Sequence, residues 1–172
     1  MTRLADSIIL AAIISALGLG SCRDACGTRA EAQSRATRDE RAVVTLAQML
    51  CGEADAHVAD YAPILHTMQR RATAHGLSLA AMARAYSAPL RGQGGSRGRW
   101  VRALPVLPTP AYATTWQTAL DTVRAFLRGE VSDPCERETL HFGSPRDARR
   151  RFPFAHPVDC GGTRNLFFGG VP

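Results

Sequence analysis

Val43-Val44-Thr45-Leu46-Ala47-Gln48-Met49-Leu50-Cys51-Gly52-Glu53-Ala54 carries the strongest pattern in this chain. Val43, Ala47 and Leu50 recur at helical spacing, and Leu46 and Met49 widen the stripe. The spacing predicts a largely buried helix that carries Glu53 at its C-terminal end. A carboxyl group among apolar neighbours is held toward its neutral form, and a general acid working near neutral pH needs that shift. Glu53 is therefore the candidate catalytic acid, set against the plainer reading of a surface glutamate at a helix end. Cys51 reads as a small buried hydrophobe rather than a nucleophile.

Downstream, Asp60 stands where the cap of a second helix belongs. Tyr61, Leu65, Met68 and Ala72 form its apolar face, Pro63 is tolerated in the first turn, and Arg70 and Arg71 fall on or beside the polar flank. Ser78 caps a short third helix with Leu79, Met82, Ala83 and Tyr86 on one face. The glycine-rich run 92–98 reads as a loop, either a plain surface turn or a groove wall offering amides and Arg97 or Arg99. It lacks the Gly-Lys-Ser/Thr ending of a phosphate loop. Trp100 beside it is either a sugar-stacking platform or a core residue. Thr109-Pro110 opens the best helix, a scaffold element with Tyr112, Trp116, Ala119, Leu120, Val123, Phe126 and Leu127 on one face and Gly129 as its stop. After it, Thr139-Leu140-His141-Phe142 and Asn165-Leu166-Phe167-Phe168 predict a small two- or three-stranded sheet, with Ser144-Pro145 starting a helical turn between them. The four arginines from Arg146 to Arg151 read as a solvated face. The expected class is α+β, mainly α.

Of the 172 residues, 45% are hydrophobic, enough for one globular domain over 42–172 once the first forty or so are set aside. Residues 1–21 have a charged start at Arg3, an apolar run from Ile8 to Leu19 and a small-residue end. They are too short to span a bilayer comfortably and match an export signal. Leu19-Gly20-Ser21-Cys22 also resembles the bacterial lipobox, in which Cys22 becomes the lipidated first residue; a disulfide with Cys26 is the rival reading. Residues 22–41, almost without large apolar side chains, read as a flexible tether. Export places the chain in the periplasm or cell envelope.

Cleavage before Cys22 removes Arg3 and Asp6 together, so the mature chain keeps the formal +6. That charge suits an anionic polymer, and for an exported bacterial protein the nearest is the cell wall. Nucleic acid is not expected as a partner, since the basic residues are scattered and no zinc-finger or RNA-binding signature occurs. Every basic residue is arginine, which excludes Schiff-base and Ser-Lys mechanisms. A zinc reading fails, because neither Cys-x-x-Cys nor His-Glu-x-x-His spacing occurs, and single-acid chemistry at Glu53 requires no metal or cofactor. Cys135 and Cys160 are the natural disulfide pair of an oxidising compartment, clamping about 25 residues for a gain of roughly 3 kcal/mol.

Gly52-Glu53-Ala54 after an apolar helix, the alanine-containing helix ending in Arg71, the long helix from Pro110 to Gly129, Asp133-Pro134 and Leu140-His141-Phe142 together resemble the catalytic domain of the spore-cortex-lytic, or SleB-type, cell wall hydrolases. The resemblance covers roughly residues 42 to 168 and rests on the order and spacing of short motifs. It implies a lysozyme-like helical core with a small C-terminal β-sheet lobe, a peptidoglycan substrate and lytic transglycosylase activity on the N-acetylmuramic acid to N-acetylglucosamine bond, with the family's glutamate at Glu53. Two departures stand out. Asp55-Ala56-His57 occupies the place of a second Gly-Glu, and Arg70-Arg71 that of an Asn-Arg pair.

In such chemistry Glu53 protonates the leaving glycosidic oxygen and then accepts the proton of the muramic acid C6 hydroxyl, giving a 1,6-anhydro product. Asp55, Asp60, Glu136 and Glu138 are all possible second carboxylates, and none is singled out. His141 as a sugar-facing donor, Phe142 as a stacking or packing surface and Tyr86 complete the candidate substrate contacts, each against a reading of ordinary packing. The alternatives are a hydrolysing N-acetylmuramidase and an inactive wall-binding lipoprotein. A monomer is expected.

Overall fold

The computed structural model describes residues 31–93, 95–104, 110–135, 139–151, 153 and 155–169, in two compact units, 1–40 and 41–172. The export signal, Cys22 and Cys26 lie outside the described residues. In the first unit, residues 31–40 are helical and exposed, so the expected tether is helical where it is described. Glu31, Ala32, Gln33, Arg35, Ala36 and Arg38 are good helix formers that need no burial to favour this state.

The second unit is α+β and mainly helical. Helix α1, described within this unit over 41–53, is followed by a 3-10 turn at Val58–Asp60 and by α2 (Tyr61–Ala74), α3 (Leu79–Tyr86), α4 (Ser96–Ala103) and α5 (Pro110–Leu127). Strand β1 (Thr139–Gly143), helix α6 (Pro145–Arg151) and strands β2 (Pro157–Val158) and β3 (Leu166–Gly169) complete it. The apolar stripe of α1 is sequestered as its spacing requires, with Leu46, Ala47, Met49 and Leu50 at 1% exposure or less. It shares one core with Tyr61, Ile64, Leu65 and Met68 of α2, Trp116, Ala119 and Val123 of α5, and Phe142 and Phe167 of the sheet. Ser78 caps α3 by accepting from the Ala81 amide at 3.2 Å. Leu127, at the end of α5, is half exposed rather than on a buried face.

Two expectations change. The end of the expected loop, residues 96–98, is instead the start of a helix that runs to 103. Buried Val101 and Leu104 anchor α4, and the Leu104 carbonyl accepts from Gln48 Nε2 of α1 at 2.7 Å. Gly98 is required there, since a Cβ would stand 2.4 Å from the Gln93 carbonyl oxygen. Asp60 sits at the start of α2 but makes no side-chain cap bond. Its fully buried carboxylate instead accepts from the backbone amides of Arg164 (2.8 Å) and Asn165 (3.3 Å) and from Asn165 Nδ2 (2.9 Å). Three donors from one distant loop outcompete the single amide a cap would satisfy.

The sheet is three-stranded and antiparallel in the order β1-β3-β2, with Phe142 opposite Phe167 and His141 opposite Phe168. Its β1 edge lies against α2. Arg70 Nε donates to the Thr139 carbonyl at 2.7 Å and Arg71 Nη1 to the Leu140 carbonyl at 3.1 Å, at the register irregularity between Thr139 and His141. These two guanidiniums satisfy edge carbonyls that would otherwise be left open on a strand with no outer neighbour among the described residues. Cys135 and Cys160 form a disulfide with an S–S distance of 2.05 Å and a sequence separation of 25.

Candidate active site

Glu53 closes α1 at a place where a second segment comes unusually near. A Cβ on Gly52 would stand 2.7 Å from Pro89 Cβ, so glycine at this position lets residues 87–89, just after α3, lie against the end of α1. That approach delivers the fully buried Ser87, whose hydroxyl donates to Glu53 Oε1 at 2.7 Å. Asn165 Nδ2 donates to the Glu53 carbonyl at 3.3 Å, which ties the same helix end to the loop before β3. Burial raises the Glu53 carboxyl above its ordinary pKa; the Ser87 hydrogen bond, the Arg97 and Arg91 charges and the Ala88 amide pull it back without cancelling the rise.

The carboxyl lies on the wall of an open pocket of about 240 Å³. Arg91 and Arg97 border it beside Glu53, Asp147 and Arg151 come from α6, and Arg164 and Asn165 come from the loop before β3. The lining is predominantly polar. A second hollow of about 320 Å³, bounded by Asp55, Arg97, Trp100 and Tyr112, shares Arg97 with the first. Arg97 donates to the Asp55 carboxylate at 3.0 Å there, and the Trp100 and Tyr112 rings lie 4.4 Å apart. The volume of the first pocket falls below the usual range for a whole small-molecule ligand, roughly 300–1,000 Å³.

Tyr86 and Phe142 both line the Glu53 pocket, while His141 does not. His141 Nδ1 instead meets Arg71 Nη1 at 2.9 Å. Burial, and then Arg71, lowers its pKa, which favours the neutral ring. Phe142 is 5% exposed and packs against Tyr86 and Phe167 at ring distances of 5.4 and 5.8 Å, so it is first a core residue whose edge reaches the pocket. The Tyr86 hydroxyl donates to the Phe142 carbonyl at 3.2 Å, and the Arg71 guanidinium lies over its ring at 4.1 Å. Buried Cys51 has its thiol pushed up to about 12 by burial and then by Asp55, as suits a packed hydrophobe.

Among the sequence's second carboxylates, Asp55 is engaged by Arg97 and Asp60 is buried under Asn165, while Glu136 and Glu138 lie outside the described residues. The carboxylate that does share the pocket with Glu53 is Asp147. It belongs to a capping pair: Ser144 Oγ donates to Asp147 Oδ2 at 2.9 Å and accepts from the Asp147 amide at 3.2 Å. The Ser-Pro-Arg-Asp order announces this cap, but nothing local says that it faces Glu53. Ser87, Arg91 and Asn165 carried no sequence signal. Of the four arginines read as a solvated face, Arg151 reaches the pocket.

Among the described residues, no three of His, Cys, Asp and Glu gather as a metal would need. No protein-family model matches the chain, and no curated protein and no solved structure is detectably similar to it.

Proposed function

We propose that this chain cleaves the glycan strands of peptidoglycan as a lytic transglycosylase, acting from the cell envelope, with Glu53 as its one acid and base. The observation that carries the reading is a carboxyl group raised in pKa by burial, held by a buried hydroxyl and open to a polar pocket. A proton-bearing carboxyl that accepts from Ser87 on Oε1 carries its proton on Oε2. That proton passes to the glycosidic oxygen as the bond to the muramic acid C1 breaks and positive charge builds on the sugar ring. The resulting carboxylate takes the proton of the C6 hydroxyl, O6 bonds to C1, and Glu53 is restored with no water consumed. The Trp100 and Tyr112 rings offer a neighbouring sugar a stacking surface. A disulfide is the bond of an oxidising compartment, which supports export and, with Cys22, a lipid anchor.

The presence of Asp147 in the pocket favours a second reading, hydrolysis by a muramidase in which that carboxylate activates a water. The first reading stands ahead because Asp147 is already engaged by Ser144 and by its own helix start. Mass spectrometry of digested peptidoglycan separates the two: 1,6-anhydro ends support the transglycosylase, reducing ends the hydrolase. Glu53→Gln is expected to abolish clearing in a peptidoglycan zymogram while leaving the circular dichroism spectrum unchanged. Equal clearing by the two proteins removes Glu53 from the mechanism, and clearing by neither leaves a passive envelope component as the better description.

A further inference from the structure

The Glu53 pocket holds more positive charge than its own carboxylates use. Four guanidiniums border it, those of Arg91, Arg97, Arg151 and Arg164. Arg97 is bonded to Asp55, and Arg91 donates to the Ala85 carbonyl and to Gln93 Oε1. Arg151, at the end of α6, and Arg164 are exposed, and among the described residues neither guanidinium has a hydrogen-bond or carboxylate partner. Arg164 is presented from a fixed point, because its amide is held by the buried carboxylate of Asp60. Asp147 adds one negative charge to the same lining, where its carboxylate accepts from Ser144 and pairs with neither guanidinium among the described residues, so the arginines remain in excess. A neutral polysaccharide would crowd two unpartnered cations and return nothing to them, whereas a carboxylate matches guanidinium geometry and is bound by charge-assisted hydrogen bonds.

We infer that Arg151 and Arg164 bind a carboxylate carried by the substrate next to the bond that is cut, so that the site takes acid-bearing glycan strands and turns over neutral ones poorly. The inference rests on the glycan-cleaving reading above and names what that glycan must carry. In peptidoglycan the carboxylate has two sources, the free acids of the stem peptide and the lactyl acid left when the peptide is removed.

The test compares native strands and amidase-stripped strands, each before and after methyl esterification of its carboxylates. The wild-type chain is expected to cleave at least one acid-bearing form about tenfold faster than its ester, the effect of one well-made charge-assisted contact. A gap on native strands alone assigns the peptide acids, and a gap on stripped strands the lactyl acid. The Arg151→Gln/Arg164→Gln chain should bring the acid-bearing rate down to the ester rate. Arg149→Gln/Arg150→Gln, which removes two exposed charges of α6 outside the pocket, should keep the gap. Equal wild-type rates on acid and ester, or loss of the gap in both double variants, overturns the inference. Pelleting of the Glu53→Gln chain with the same strands needs no turnover. A preference for acid-bearing strands there, with no cleavage by wild type, keeps this inference and sinks the proposed activity; cleavage that ignores esterification does the reverse.

Discussion

At the scale of single residues, Ser87 governs how acidic Glu53 is and which way it faces. Its hydroxyl is the largest of the influences that lower the glutamate's pKa against burial. Removing it in Ser87→Ala therefore raises the Glu53 pKa further. On the proposed reading the proton-bearing form is the active one, so activity is expected to fall as pH rises through that pKa, and the alkaline limb of the profile to move to higher pH in the variant. The maximal rate should drop about tenfold, since one oxygen loses the bond that orients it. A pH profile of dye-release from labelled sacculi checks both, and an unmoved limb would remove Ser87 from the account. His141 teaches the complementary lesson. An imidazole one position from a pocket-lining aromatic looks like a sugar donor on paper, yet its Nδ1 is taken up by Arg71 of α2.

At the scale of elements, the pocket depends on a joint between the 3-10 turn before α2 and the loop before β3. Asp60 makes that joint by accepting three donors from Arg164 and Asn165 while fully buried. Asp60→Ala is expected to cost roughly 2–4 kcal/mol of unfolding free energy, through buried amides left without an acceptor, with an unchanged denaturant slope. Chemical denaturation measures it, and a loss below about 1 kcal/mol would mean that water replaces the carboxylate. Most elements were legible beforehand because their signals are local: the stripes of α1, α2, α3 and α5, the Ser78 cap, and the two aromatic strands. Helix α4 was not, because its glycine-rich start hides a short apolar anchor of Val101 and Leu104. Asp60 misled because a residue at a helix start has local amides within reach, and only the folded chain offers it better ones.

For the molecule as a whole, the disulfide holds the segment after α5 to the loop that carries Arg164 and Asn165. Replacing both Cys135 and Cys160 by serine is expected to lower the unfolding free energy by about 3 kcal/mol, the loop-closure entropy of a 25-residue separation. The midpoint in urea should fall to the same value in wild type treated with reductant, and coincidence of the two before treatment would show the bond to be energetically idle. Helical and strand periods, the cysteine pair and the Ser144 cap were determined by the sequence alone, since each follows from side-chain chemistry within a few positions or from a count of thiols. The company Glu53 keeps was decided only by the tertiary structure. Ser87 lies 34 positions away and Asn165 lies 112. Meetings over such separations depend on how closely helices and loops pack, here on a glycine that lets Pro89 approach, and no local pattern encodes that distance.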